Sequence, residues 1–235
     1  MLGRIFDAYL NASMAEERHL IIPKTARYFL HGTPSEKTKE IWFVIHGYGQ
    51  LVKYFIRHFN HFDPETTLVV APEGLSRFYL DGTSPDSRIG AAWMTKEDRD
   101  NEIKDYITYL DLLHDQILAE FSPEVQIKVF GFSQGCTTLC RWVAYGKVRP
   151  NSMVMWAGTF PPDIDWNEFG QKFHGYPIDV VYGNNDEYRS WINADEMTRL
   201  MEKARLTFRV TTFDGKHEII RDVLNTLLRE NKSLL

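Results

Sequence analysis

The most constraining stretch of this chain is VQIKVFGFSQGCTTLCRWVAY, residues 125–145. An apolar run with strand character leads into Gly131-Phe132-Ser133-Gln134-Gly135, and an amphipathic run with helical spacing follows with no linker. A chain that passes from strand to helix this abruptly must reverse sharply, so the residues two before and two after the serine approach the helix and a neighbouring strand closely. Glycine at both places removes the Cβ atoms that would collide. The same turn lifts the serine hydroxyl clear of the backbone at the C-terminal edge of a sheet.

The remainder of the chain supplies that sheet. Short apolar runs at 26–30, 41–46, 67–71, 125–131, 152–157, 177–182 and 206–212 read as strands, and amphipathic patterns near 50–60, 99–120, 134–146, 190–203 and 217–230 read as helices. Several strands, IWFVIH and PIDVVYG among them, are continuously apolar, as expected where helices cover both faces of a parallel sheet. The expected fold class is therefore α/β, a mostly parallel central sheet of about seven strands with helices on both faces. One such domain accounts for residues 1–235. Two connections, 72–98 and 158–175, exceed what a crossover needs and leave the C-terminal ends of strands, the edge where open α/β sheets bind ligands. They carry Phe78, Tyr79, Trp93 and Trp166, and are expected to lie over the active-site edge.

Composition excludes other classes. A chain 43% hydrophobic and 25% charged has enough apolar surface to bury a core. The formal net charge of −5, with no run of lysine or arginine, argues against nucleic acid or an anionic membrane as partner. A small molecule is the expected partner. Cys136 and Cys140 fall on one helix face and read as small buried residues, not as a disulfide framework or a metal site. Asp7 interrupts the only apolar stretch near the N-terminus, and no window approaches the roughly 18 apolar residues of a membrane span. The expected location is the cytoplasm, without stable membrane insertion.

A serine hydroxyl is a weak nucleophile, so chemistry at Ser133 requires a base, and the base requires an acid to orient it. In strand–turn–helix arrangements of this kind the chain order is serine, acid, histidine. After Ser133 only His174 and His217 are available. His217 follows the strand run LTFRVTT and the turn FDGK and is expected to open the last helix at the serine's edge, whereas His174 precedes a strand. The stretch HEIIR starts like the zinc motif H-E-x-x-H but ends in arginine, so no metal is expected there. Asp186, in the turn after PIDVVYG, is the expected acid, with Asp163 and Glu187 as alternatives. Two backbone N–H groups must receive the charge that develops on a carbonyl oxygen. Gln134, directly after the serine, and Tyr48, in the His46-Gly47-Tyr48-Gly49 loop, are the expected donors. Trp93, Phe78 and Tyr79 are expected to contact substrate.

The segments HGYGQ, Ala71-Pro72, the downstream Trp93, GFSQG, GNNDE and GKHEI together resemble the phospholipase/carboxylesterase family of α/β hydrolases, which includes acyl-protein thioesterases and small carboxylesterases. The resemblance covers most of the chain from about residue 40. It implies the α/β-hydrolase fold and hydrolysis of esters or thioesters without cofactor. It carries the roles of nucleophile, acid, base and oxyanion donors onto Ser133, Asp186, His217, Tyr48 and Gln134. Gln50 stands where that family often has an acidic residue, Cys136 where it often has a third glycine, and Glu73-Gly74 follows the proline. The expected activity is that of a small carboxylesterase, with lysophospholipase or acyl-protein thioesterase as the alternatives. A non-catalytic ligand-binding protein on the same fold is the rival of another class, and the survival of serine, acid and histidine in order argues against it.

Overall fold

In the computed structural model the described residues are 15–173, 177–189 and 194–232. Seven apolar runs pair into one sheet: β1 (Tyr28–His31), β2 (Glu40–Ile45), β3 (Thr67–Pro72), β6 (Gln126–Phe132), β7 (Ser152–Trp156), β8 (Pro177–Gly183) and β9 (Thr207–Phe213). The order across the sheet is β1-β3-β2-β6-β7-β8-β9. Strand β1 runs antiparallel to β3, with Phe29 opposite Ala71, and every other pairing is parallel. All seven strands lie within two residues of where the apolar runs put them.

Alternate residues of each strand feed two separate cores. In β2, Ile41, Phe43 and Ile45 belong to the core beneath α2 (Arg99–Leu118) and α3 (Gln134–Tyr145), whereas Trp42 and Val44 belong to the opposite one. On the first face α2 buries Ile103, Tyr106, Leu110, Leu113 and Ile117, a spacing of three and four that keeps one stripe toward the sheet. The second face is covered by the short α1 (Val52–Phe55), its 3-10 continuation Ile56–Phe59, and α6 (Arg221–Lys232), through Val52, Phe55, Phe59, Leu224 and Leu227. Burial on both faces is why these strands read as uninterrupted apolar runs.

The long connections hold structure that the sequence pattern does not display. Segment 72–98 contains an antiparallel hairpin of β4 (Ser76–Tyr79) and β5 (Ile89–Ala92), with Ser76 opposite Ala92. Segment 158–175 contains α4 (Trp166–Gln171), capped by Asp165, whose carboxylate accepts from the N–H groups of Asn167 and Glu168. Helix α5 spans Ala194–Lys203. The last helix starts at Arg221, so His217 lies in the turn before it instead of opening it. The cause is local: Glu218 N–H donates to Lys216 O and Lys216 N–H to the Glu218 carboxylate, which fold residues 216–218 into a tight turn. Among the described residues no helix is long and apolar enough to cross a membrane. Asp7 and His174 lie outside the described residues.

Candidate active site

Ser133 joins β6 to α3 at φ 54° and ψ −120°, a conformation that costs a non-glycine residue about 1–3 kcal/mol. The surroundings hold it there. Its N–H donates to Trp156 O at 2.9 Å and its carbonyl accepts from Cys136 N–H at 2.9 Å. A Cβ on Gly131 would stand 2.8 Å from Gly135 O, and one on Gly135 would overlap Ile45 O of β2. The two glycines are thus the close approaches to helix and neighbouring strand that the turn requires.

The turns after β8 and β9 are joined by backbone bonds, Asn184 N–H to Phe213 O at 2.8 Å and Asn185 N–H to Gly215 O at 2.9 Å. This stitching carries Asp186 to His217. The Asp186 carboxylate is fully buried; one oxygen accepts from Tyr188 N–H at 2.8 Å, and the other lies 2.9 Å from His217 Nδ1. Trp156 Nε1–H holds the turn carrying the histidine by donating to Glu218 O at 2.7 Å. The imidazole lies between Phe132, the neighbour of Ser133, with centroids 5.0 Å apart, and the edge of Tyr188 at 4.7 Å. A carboxylate at Nδ1 favours the tautomer with the proton there and the lone pair on Nε2. Nε2 makes no hydrogen bond among the described residues, Ser133 included; such contacts commonly tighten only around substrate.

The alternative acids are occupied elsewhere. Asp163 is paired with Arg141 and Arg99, each at 2.8 Å. Burial would raise its pKa, but the two guanidiniums overcome that and hold the carboxyl at about 2. Glu187 is exposed.

The loop after β2 is fixed from both sides of Gly47. Its N–H donates to Gln50 Oε1 at 2.8 Å, and its carbonyl lies 2.7 Å from His46 Nδ1, while His46 Nε2 accepts from Gly74 N–H at 2.9 Å. Burial drives the His46 pKa down to about 4, so the neutral ring serves both bonds near neutral pH. In a trans peptide the C=O and the following N–H point oppositely. With the Gly47 carbonyl drawn to His46, the Tyr48 N–H is turned the other way; with the Ser133 carbonyl drawn to Cys136, so is the Gln134 N–H. Gln50, which departs from the resembled family, thus supports the loop as a side-chain acceptor.

The three aromatic residues expected to contact substrate separate here. Phe78 lies on the hairpin with its ring 5.1 Å from that of Tyr48, itself 55% exposed, and Tyr79 is exposed. Trp93 is a correction: it is 1% exposed and its indole N–H donates to His46 O at 2.9 Å, so it lies beneath the loop after β2 with no surface for a ligand. Glu73 was not anticipated as part of this framework. Its buried carboxylate accepts from Arg27, from Arg77 at 2.6 Å and from Val52 N–H at 3.1 Å, and these partners hold its pKa down against burial. The signal available was its place, directly after the Ala71-Pro72 strand end. Among the described residues, Glu17, His19 and Asp98 alone bring three potential metal ligands together, and they are exposed surface side chains.

Sheet order, sharp serine turn and adjoining acid–histidine pair together define an α/β hydrolase. Residues 32–230 match the profile of the phospholipase/carboxylesterase family, and the chain belongs to that family, a group of esterase-type hydrolases. No curated protein matches the sequence. Among solved structures, acyl-protein thioesterase 2 of Zea mays is similar at a TM-score of 0.66 and 15% identity, over 89% of this chain and 99% of that one. Esterase PE8 gives 0.66 and 18% over 90% and 100%. A Bacillus cereus carboxylesterase gives 0.65 and 13% over 98% and 99%. At these identities the likeness is one of fold.

Proposed function

We propose that this protein is a serine carboxylesterase that works through an acyl-serine intermediate. The observation that carries the reading is the Asp186–His217 pair, 2.9 Å apart, with the histidine ring packed against Phe132 beside Ser133. His217 Nε2 takes the proton of Ser133 as Oγ attacks the ester carbonyl. Charge on the carbonyl oxygen is received by the N–H groups of Tyr48 and Gln134, and His217 returns the proton to the departing alcohol. Water, deprotonated by the same histidine, then releases the acid. No step calls for a cofactor.

A cavity of about 530 Å³ beside the oxyanion loop supports a modest acyl or aryl ester as substrate. Leu51, Tyr54, Phe55, Leu80 and Ile89 give it apolar walls between α1 and the hairpin, and Lys53, His58, Ser87 and Arg88 line much of the rest. It would take the acyl or aryl group, since Ser133 and His217 do not line it. The test is a series of p-nitrophenyl esters of rising chain length, run beside fluorophosphonate labelling of wild type and Ser133→Ala. Hydrolysis and labelling that vanish together in a folded Ser133→Ala protein are expected; hydrolysis that persists there would overturn the mechanism.

A further inference from the structure

We infer that Trp93 is a positioning residue for the oxyanion hole, a strut that works beside the β2–β6 ladder to set the separation of its two N–H donors. The inference rests on Tyr48 and Gln134 being those donors, as proposed above. The donors belong to different elements: Tyr48 follows β2, and Gln134 opens α3. The β2–β6 ladder and the contact of Gly135 with Ile45 O fix the two strand ends, and a group that touches both sides beyond them fixes the donors themselves.

Trp93 does so with two N–H groups. Its indole Nε1–H donates to His46 O at 2.9 Å, and its ring lies 5.2 Å from the His46 ring, centroid to centroid. His46 in turn holds the Gly47 carbonyl, the other end of the peptide that carries the Tyr48 N–H. The backbone N–H of Trp93 donates to Gln134 Oε1 at 3.1 Å, and Gln134 Nε2 donates to the next carbonyl, Met94 O, at 2.8 Å. Both ends of the Gln134 amide are thus engaged by consecutive residues of one chain segment. A continuous path runs from the Tyr48 peptide through His46 and Trp93 to Gln134.

A tryptophan that merely filled the core would need apolar neighbours and one acceptor for its indole. Here the acceptor belongs to the oxyanion loop, and the same residue's backbone grips the side chain next to the nucleophile. At 1% exposure Trp93 keeps water from its indole bond to His46 O, so that end of the linkage has little freedom to relax. Trp93 also directly follows β5, whose partner β4 carries Phe78 against Tyr48. Displacement of the hairpin is thereby transmitted to both donors.

The test compares Trp93→Phe, which keeps an aromatic ring but loses the indole donor, and Gln134→Met, which keeps the backbone N–H but loses both amide bonds. Each is assayed with p-nitrophenyl acetate and with a trifluoromethyl ketone. Ser133 Oγ adds to the ketone carbonyl, His217 takes the serine proton, and the resulting hemiketal oxygen, negatively charged, occupies the oxyanion hole. Misplaced donors weaken only states that carry this charge, so kcat should fall about 10- to 100-fold with KM within about twofold. Affinity for the ketone should fall in parallel with kcat/KM, and the pH of the ascending limb should stay where it is in wild type.

Ketone affinity and kcat within about twofold of wild type in both folded variants would overturn the inference, as would a loss confined to KM. If Trp93→Phe does not fold, Gln134→Met decides alone. Wild-type protein that neither hydrolyses the ester nor binds the ketone would instead overturn the esterase reading itself.

Discussion

His217 Nδ1 and Asp186 Oδ2 lie 2.9 Å apart, on the turns that follow the adjacent parallel strands β9 and β8. Exchanging that carboxylate for an amide keeps the shape but removes the preference for a proton on Nδ1. Asp186→Asn should therefore lower kcat by about 10²–10⁴-fold with little change in KM. Steady-state kinetics on a p-nitrophenyl ester checks this, and wild-type turnover in the variant would remove Asp186 from the mechanism.

Asp163 makes the opposite prediction. Its carboxyl, held at about 2, has a depressed pKa, so its stabilisation is present above the unfolded value and disappears as pH falls through the folded one. The side chain is 33% exposed, so solvent screening limits the contribution to about 1–2 kcal/mol. Asp163→Asn should lower the denaturation midpoint while leaving kcat within about threefold. Urea titration and kinetics on one preparation separate the two effects.

His46 should make stability depend on pH. Because its folded pKa is about 4, below the 6.5 of an ordinary histidine, the unfolded chain binds the proton first as pH drops. Stability from this group is complete above pH 6.5, declines between 6.5 and 4, and is level below that. The total is about 3 kcal/mol. His46→Gln has no group that titrates there, so the stability gap between wild type and variant should narrow over this interval. Unfolding free energies measured at several pH values would show a constant gap if His46 were not the cause.

Cys136 and Gly158 form a matched pair. The Cys136 thiol donates to Gly131 O at 3.1 Å, burial pushes its pKa up, and a Cβ on Gly158 would overlap its sulfur. Gly158→Ala should cost about 1–3 kcal/mol by overpacking. Adding Cys136→Gly should recover part of that loss, a coupling that a double-mutant cycle measures. Additive costs would mean that the two positions do not compete for the same space.

Strands covered on both faces left continuous apolar runs, so the sheet and its parallel sense were legible in the sequence. The turn GFSQG was legible because steric exclusion at Gly131 and Gly135 leaves no other residue type. The β4–β5 hairpin was not, since each strand has only four residues and β5 runs out into Gly90-Ala91-Ala92 after Ile89, too short a pattern to read as a strand pair. Those small residues answer to a demand from elsewhere: Ala91 pairs with Gln50 of the loop after β2. Asp163 and Asp186 looked alike as aspartates after strands. What separates them is Arg99 and Arg141, which lie far away in sequence and, of the two aspartates, pair with Asp163. Trp93 was recognisable as an important aromatic, but the direction in which a ring points is a property of the packed fold.

The Glu73 carboxylate is shared between Arg27, just before β1, Arg77 on the hairpin and the first N–H of α1. An expression clone trimmed to begin at the first strand would delete Arg27 and leave a fully buried anion with one guanidinium fewer at the root of the hairpin. Residues 15–27, which form no regular element, are in this sense tied to the root of the hairpin through Arg27. Trimming them is a change to the framework behind the proposed active site, made through a residue that lies outside every strand and helix.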